Sequence, residues 1–184
     1  MAVVRGVFQA IALDEPLQKQ ETVDVPRELW DSEAITAYGL LREAAAEIEN
    51  VMRMTLKRSG LPFPMFELLL RLARSPQDRL RLTTLATELT VTTGGITRLV
   101  DRAELQGLVR REPCVDDARG YHAVITSEGK RRLREAMPAH LEDVHDLWTS
   151  QLGGNRDEVL ARVRKARDHA RQATRTRLRA GDSN

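Results

Sequence analysis

The sequence predicts a mainly α fold with one small β-hairpin, and three observations predict it. Apolar residues recur at three- and four-residue spacing over most of the 184 residues, and aromatic residues make up only 4% of the chain. Two short segments that read as strands, "LVRREPC" and "YHAVIT", interrupt that spacing around an Asp- and Gly-rich "VDDARG". The core is therefore expected to be aliphatic. A chain of this length buries roughly 70% of its unfolded surface, enough for a core without disulfide or metal. It suits one compact domain or two small intertwined lobes.

The elements follow in order. Residues 1–28 contain Pro16 and Pro26 and hold no period, which reads as a tail or loosely packed arm. Asp31-Ser32 is an N-cap pair, and Ile35, Tyr38, Leu41, Ala45, Ile48, Met52 and Leu56 then mark a long amphipathic helix that Gly60 stops. "LPFPMFELLLRLARSP" is a second helix, too apolar for a surface, with Pro64 in its first turn. "RLRLTTLATELTV" offers a short extended piece, a cap at Thr83 or Thr84, and a short helix packed through Leu85, Ala86 and Leu89.

Thr92 caps the next helix, whose Ile96, Leu99, Val100 and Ala103 form one narrow buried stripe before Gly107 ends it. The opposite face carries Gly94, Arg98 and Asp101, flanked by Thr97 and Arg102. After the hairpin, Thr126 starts a helix that Pro138 kinks or restarts, continuing through Leu141, Val144, Leu147 and Trp148. A last helix begins after "GGN" with Val159, Leu160 and Val163 on its apolar face and becomes strongly basic from Arg162 to Arg179. That run reads as a solvated face or frayed tail rather than an extra DNA contact.

Two helices, a short strand, a helix-turn-helix and a two-stranded hairpin are the layout of a winged helix-turn-helix with helices added at both ends. Four segments are expected. They are a tail over 1–28, an N-terminal dimerisation helix over 29–60, a winged helix-turn-helix over 61–136 with its wing at 108–126, and C-terminal dimerisation helices with a basic tail over 137–184.

"GGITRLVDRAELQGLVRREPCVDDARGYHAVITSEGKRRL" resembles the MarR family of bacterial transcription regulators. The family's pattern looks like a recognition helix, "GLV.R", an Asp-x-Arg wing and "LT..G". Here it corresponds to Gly107-Leu108-Val109, Arg111, Asp117-Ala118-Arg119, and Ile125-Thr126 with Gly129, Ile standing for the family's Leu. The resemblance is strong over residues 80–135, supported by helix layout from 30 to 80, and weak at both ends. It implies a non-enzymatic, homodimeric regulator that binds a pseudo-palindromic operator in double-stranded DNA, most often as a repressor relieved by a small aromatic or anionic ligand.

On that reading a helix that opens on Gly94-Gly95 has a reason. A recognition helix docks its N-terminal residues against bases and phosphates, and glycine removes the side chain between backbone and DNA. It also leaves first-turn N–H groups pointing at an anion. The alternative is that the glycines let two helices pack tightly across the turn. Arg98 is the expected base reader, since guanidinium matches guanine O6 and N7. Thr92, Thr93 and Thr97 suit phosphate or thymine-methyl contacts, Thr92 capping at the same time, and Arg102 flanks that face. In the wing, Asp117 braces Arg119, which by resemblance enters or lines the adjacent minor groove. Arg110 and Arg111 are further phosphate candidates, of which only one can face DNA.

The first and last helices carry apolar stripes that a small winged domain does not cover, and by resemblance they interlock across a two-fold axis. An effector pocket is expected near that junction, from Trp30, Tyr38, Arg42, Met65 and Phe66. Cys114, beside Arg110 and Arg111, is a candidate redox thiol or simply a small strand residue.

Other classes are less well served. Net charge is only +2, so nucleic-acid binding has to arise from local arrangement. His122, His140, His145 and His169 stand beside no nucleophile motif, and His140 and His145, five apart, do not share a helix face. No cofactor or metal is expected. A winged module that binds protein instead of DNA is the main rival, and Asp101 favours it unless Arg98 or Arg102 pairs with that carboxylate. The lone cysteine, the lack of an apolar run of roughly 18 residues and the weak N-terminal signal character indicate a cytoplasmic protein.

Overall fold

The structure is a computed structural model that describes residues 30–114 and 117–181, with the backbone alone at 117–119, 179 and 181. The chain divides into two compact units, residues 1–41 and 42–184. The described part of the first is Trp30 to Leu41, mostly helical and largely exposed. Ser32 acts as the expected cap, its Oγ accepting from the Ile35 amide at 3.4 Å.

Six α-helices, two short 3-10 helices and three strands are described. Helices are α1 (Glu33–Arg58), α2 (Phe63–Ala73), α3 (Leu82–Glu88), α4 (Thr93–Leu105), α5 (Ser127–Leu147) and α6 (Arg156–Gly181). Strands β1 (Arg79–Arg81), β2 (Val109–Cys114) and β3 (Asp117–Ile125) form one antiparallel sheet in the order β1-β3-β2. The core of the second unit is aliphatic, as expected. Leu68, Leu69 and Leu72 of α2 stand at its centre with Leu85, Ile96 and Val100 of the helix-turn-helix, all buried.

The sheet joins the helix-turn-helix to the hairpin. Arg79, Leu80 and Arg81 pair with Val124, Ala123 and His122, so the short extended piece is a third strand of the wing's sheet. This pairing decides where α3 begins. The chain leaves the sheet at Arg81, Leu82 is already helical, and no side chain caps the helix. Neither Thr83 nor Thr84 is the cap; Thr83 lies in the first turn, where its carbonyl accepts from the Thr87 hydroxyl.

The hairpin connection is also tighter than expected. "VDDARG" is not all turn, because β3 begins at Asp117, whose Cα partner is Cys114 after a register shift at Pro113/Cys114. Proline has no N–H for the ladder, so an irregularity there is its natural place. Pro138 does not restart the helix: α5 runs continuously from Ser127 to Leu147 with the proline inside it. The proline is exposed, where water can satisfy the carbonyl it leaves unpaired. The expected boundary between 136 and 137 consequently falls inside a helix.

The "GLV" and "IT..G" motifs form one physical unit. Gly107 has φ +69°, a left-handed value that a side chain would strain, and it ends α4 one residue past the cap. Thr126 Oγ donates to the Gly107 carbonyl at 2.7 Å and accepts from the Gly129 amide at 3.0 Å, capping α5 while fixing it to the end of α4. A Cβ on Gly129 would lie 2.2 Å from the Leu108 carbonyl oxygen. Only glycine allows that approach.

Candidate nucleic-acid interface

Helix α4 presents the face that the residue pattern predicted. Ile96, Leu99, Val100 and Ala103 are buried, and Gly94, Thr97, Arg98, Asp101 and Arg102 are exposed. Thr92 caps the helix, its hydroxyl accepting from the Gly95 amide at 3.1 Å. The Thr93 and Gly94 amides have no partner among the described residues, as expected of first-turn N–H groups.

The two glycines differ. A Cβ on Gly95 would stand 3.2 Å from the capping Oγ of Thr92, so Gly95 protects the cap. At Gly94 the nearest atom would be the flexible tip of Arg98 at 3.8 Å, so packing does not demand glycine there. Arg98 lies along this groove with its Nε donating to the Gly94 carbonyl at 3.3 Å. The Thr97 hydroxyl donates to the Thr93 carbonyl at 2.9 Å, which leaves its methyl group and lone pairs as the outward chemistry.

Asp101 is neutralised by a residue the sequence left undecided. Arg111 of β2 reaches across from the wing and bonds Asp101 Oδ1 at 2.5 Å and Glu104 Oε2 at 2.6 Å. Its amide also donates to Glu104 Oε1 at 3.0 Å. Burial works against the charge of this guanidinium, and the bonds to Asp101 and Glu104 overcome it, holding the pKa above the ordinary arginine value. Neither Arg98 nor Arg102 forms the pair. Of the two arginines left open by the sequence, Arg111 braces α4 against the wing, while the exposed Arg110 is held by Glu112 at 2.5 Å.

Other expected residues are dispersed. The Asp117 and Arg119 side chains lie outside the described ones. Met65 and Phe66 are buried core, Phe66 packing on the His140 ring with centroids 4.3 Å apart. Trp30 and Tyr38 are 61% and 67% exposed, and Arg42 is exposed. A cleft of about 400 Å³ does exist in the second unit, but none of these five residues lines it. Its walls are Glu49 and Arg53 of α1, Phe63 and Glu67 of α2, and the Glu88–Val91 turn. Cys114 is 5% exposed, with Sγ 3.2 Å from His122 Nδ1. Its neighbour is therefore a histidine, since both nearby arginines are engaged by carboxylates. Among the described residues no group of His, Cys, Asp and Glu gathers as a metal site, and no helix is long and apolar enough to cross a membrane.

A three-stranded wing locked to a capped, glycine-opened second helix defines a winged helix-turn-helix of the kind that regulates transcription. Comparison with known proteins agrees. The MarR family profile matches residues 59–120. A crystal structure of Sco3205, a MarR family transcriptional regulator from Streptomyces coelicolor in complex with DNA, is 32% identical, with a TM-score of 0.67 over 73% of this chain and 86% of that one. AbsC, a MarR family transcriptional regulator from the same organism, is 28% identical with a TM-score of 0.68 over 79% of this chain and 97% of that one. Among curated relatives, the transcriptional repressor YetL of Bacillus subtilis is 29% identical over 62% of this chain and 68% of its own length. The chain belongs to the MarR family of transcriptional regulators, and is not an enzyme.

Proposed function

We propose that the protein is a homodimeric, sequence-specific DNA-binding regulator, acting as a repressor that a small ligand releases. The observation that carries the DNA-binding part is the N-terminal half of α4. It has an exposed polar face, two amides at the positive end of the helix that have no partner among the described residues, and an Asp101 paired with Arg111. Arg98 reads a base edge, Thr93 and Gly94 meet phosphate through their amides, and Thr92, Thr97 and Arg102 flank the contact. Arg119 in the wing, braced by Asp117, contacts the adjacent minor groove.

Dimerisation is supported by apolar side chains left uncovered on the terminal helices, among them Ile35 and Leu41 of α1 and Val163 and Leu178 of α6. Two copies related by a two-fold axis would place their recognition helices about 34 Å apart, matching a pseudo-palindromic operator. Ligand response is supported by a cleft whose walls include both α1 and the turn before α4. The repressor sign follows YetL, the relative named as a transcriptional repressor.

The test is fluorescence anisotropy on the DNA upstream of its own coding sequence, across a salt series. Nanomolar binding with a steep salt slope, weakened by Arg98→Ala and by Arg119→Ala, is expected. Weak binding equal on any DNA and unchanged in both variants would sink the reading.

A further inference from the structure

The cleft beneath the helix-turn-helix has an electrostatic character of its own. Three carboxylates and one guanidinium line it, together with apolar groups. The guanidinium is already committed. Arg53 Nε donates to Glu49 Oε1 at 2.9 Å, and its guanidinium carbon stands 4.9 Å from the centroid of the Phe63 ring. Glu67 is only loosely paired, with Arg71 at 3.7 Å. Glu88, half-buried at the end of α3, has no ion pair among the described residues. Burial raises the pKa of the Glu67 carboxyl, with the Glu49 charge adding to the rise and Arg71 and Arg74 opposing it. An entering anion would meet surplus negative charge at low dielectric; a cation would relieve it.

We propose that this cleft binds a small organic cation with a flat apolar body, its charge held by Glu67 and Glu88 and its body against Phe63. Arg53 demonstrates the arrangement within the protein, a planar cation stacked on Phe63 with a carboxylate at its edge. The volume of about 400 Å³ suits a molecule of that size. Family resemblance implies a small aromatic or anionic ligand; the residues lining the cleft favour a cationic one.

The site is placed to act on α4. Thr90 in its wall has φ +55°, a left-handed value that a β-branched residue adopts only under strain. Two residues later Thr92 caps the recognition helix. A ligand pressing on Thr90 bears on the point where α4 begins, and this coupling, unlike the cation site itself, rests on the DNA-binding reading.

The matched probes are benzyltrimethylammonium, benzyl alcohol and benzoate, titrated into the full chain without DNA and followed by amide NMR. Saturable shifts at Phe63, Thr90, Val91 and Leu99 are expected with the cation. The affinity should fall at least tenfold in a folded E67Q/E88Q variant and by a smaller factor in Glu88→Gln alone. Arg53→Ala, which clears the Phe63 ring, should tighten it. Benzoate binding as well as the cation, cation binding untouched by E67Q/E88Q, or no shifts with the cation overturns the proposal. The same cation is then added to the protein–operator complex: release supports the coupling, and cleft binding without release overturns the coupling while the cation site stands.

Discussion

Arg111 and Asp101 join the wing to the recognition helix through a 2.5 Å ion pair, with the guanidinium only 21% exposed and Glu104 as a second partner. Under the proposed function, in which α4 faces phosphates, its two carboxylates are matched by a cation from the wing. It also ties strand β2 of the wing to α4 at two points.

Arg111→Ala therefore removes more than a contact. It leaves Asp101 and Glu104 as unpaired charges facing DNA, and operator affinity is expected to fall at least tenfold, about 1.4 kcal/mol. Adding Asp101→Asn and Glu104→Gln to that variant should recover much of the loss, measured by anisotropy at fixed salt. If affinity in the single variant equals wild type, Arg111 has no part in presenting the helix.

Two glycines make a matched pair of tests. Gly129→Ala puts a methyl group 2.2 Å from a backbone carbonyl and 2.8 Å from Ile125 Cγ1, neither of which can yield cheaply. Destabilisation of roughly 2–3 kcal/mol or more is expected, seen as a lower urea midpoint at unchanged m-value. Gly94→Ala meets only the tip of Arg98 and should leave the midpoint equal or slightly raised. Its cost should appear in operator affinity alone.

His140 predicts an acid limb of stability. Burial lowers its pKa, Asp143 opposing, with Phe66 against the ring. The unfolded chain takes up this proton near the ordinary pKa of about 6.5, while the native state resists until lower pH. The native state thus suffers no penalty above that value and loses stability as pH falls from it toward the depressed native pKa. Urea denaturation between pH 8 and 5 should show a slope of up to about 1.4 kcal/mol per pH unit for this one group. In His140→Gln that component should vanish; an unaltered slope would assign it elsewhere.

Sedimentation tests the dimer. Wild type should run at twice the 20.8 kDa chain mass at micromolar concentration, and Val163→Glu, placing a charge on an exposed apolar position of α6, should shift it toward monomer. A monomeric wild type would remove the argument for a pseudo-palindromic operator.

Local residue pattern was enough for the helices, their order, the buried stripe of α4, the capping by Thr92 and Thr126 and the stop at Gly107. These depend on spacing and on local backbone chemistry, which neighbouring residues in the chain already express. Tertiary structure decided what crosses between elements. The start of α3 is set by β1 pairing with β3, a partner some forty residues away. The role of Arg111 is set by carboxylates on another element, and the need for Gly129 by the Leu108 carbonyl. The expected pocket residues Met65 and Phe66 are core because α2 is buried along Met65, Phe66, Leu68, Leu69 and Leu72. Apolar spacing says that a face is buried, and only the packed chain says against what.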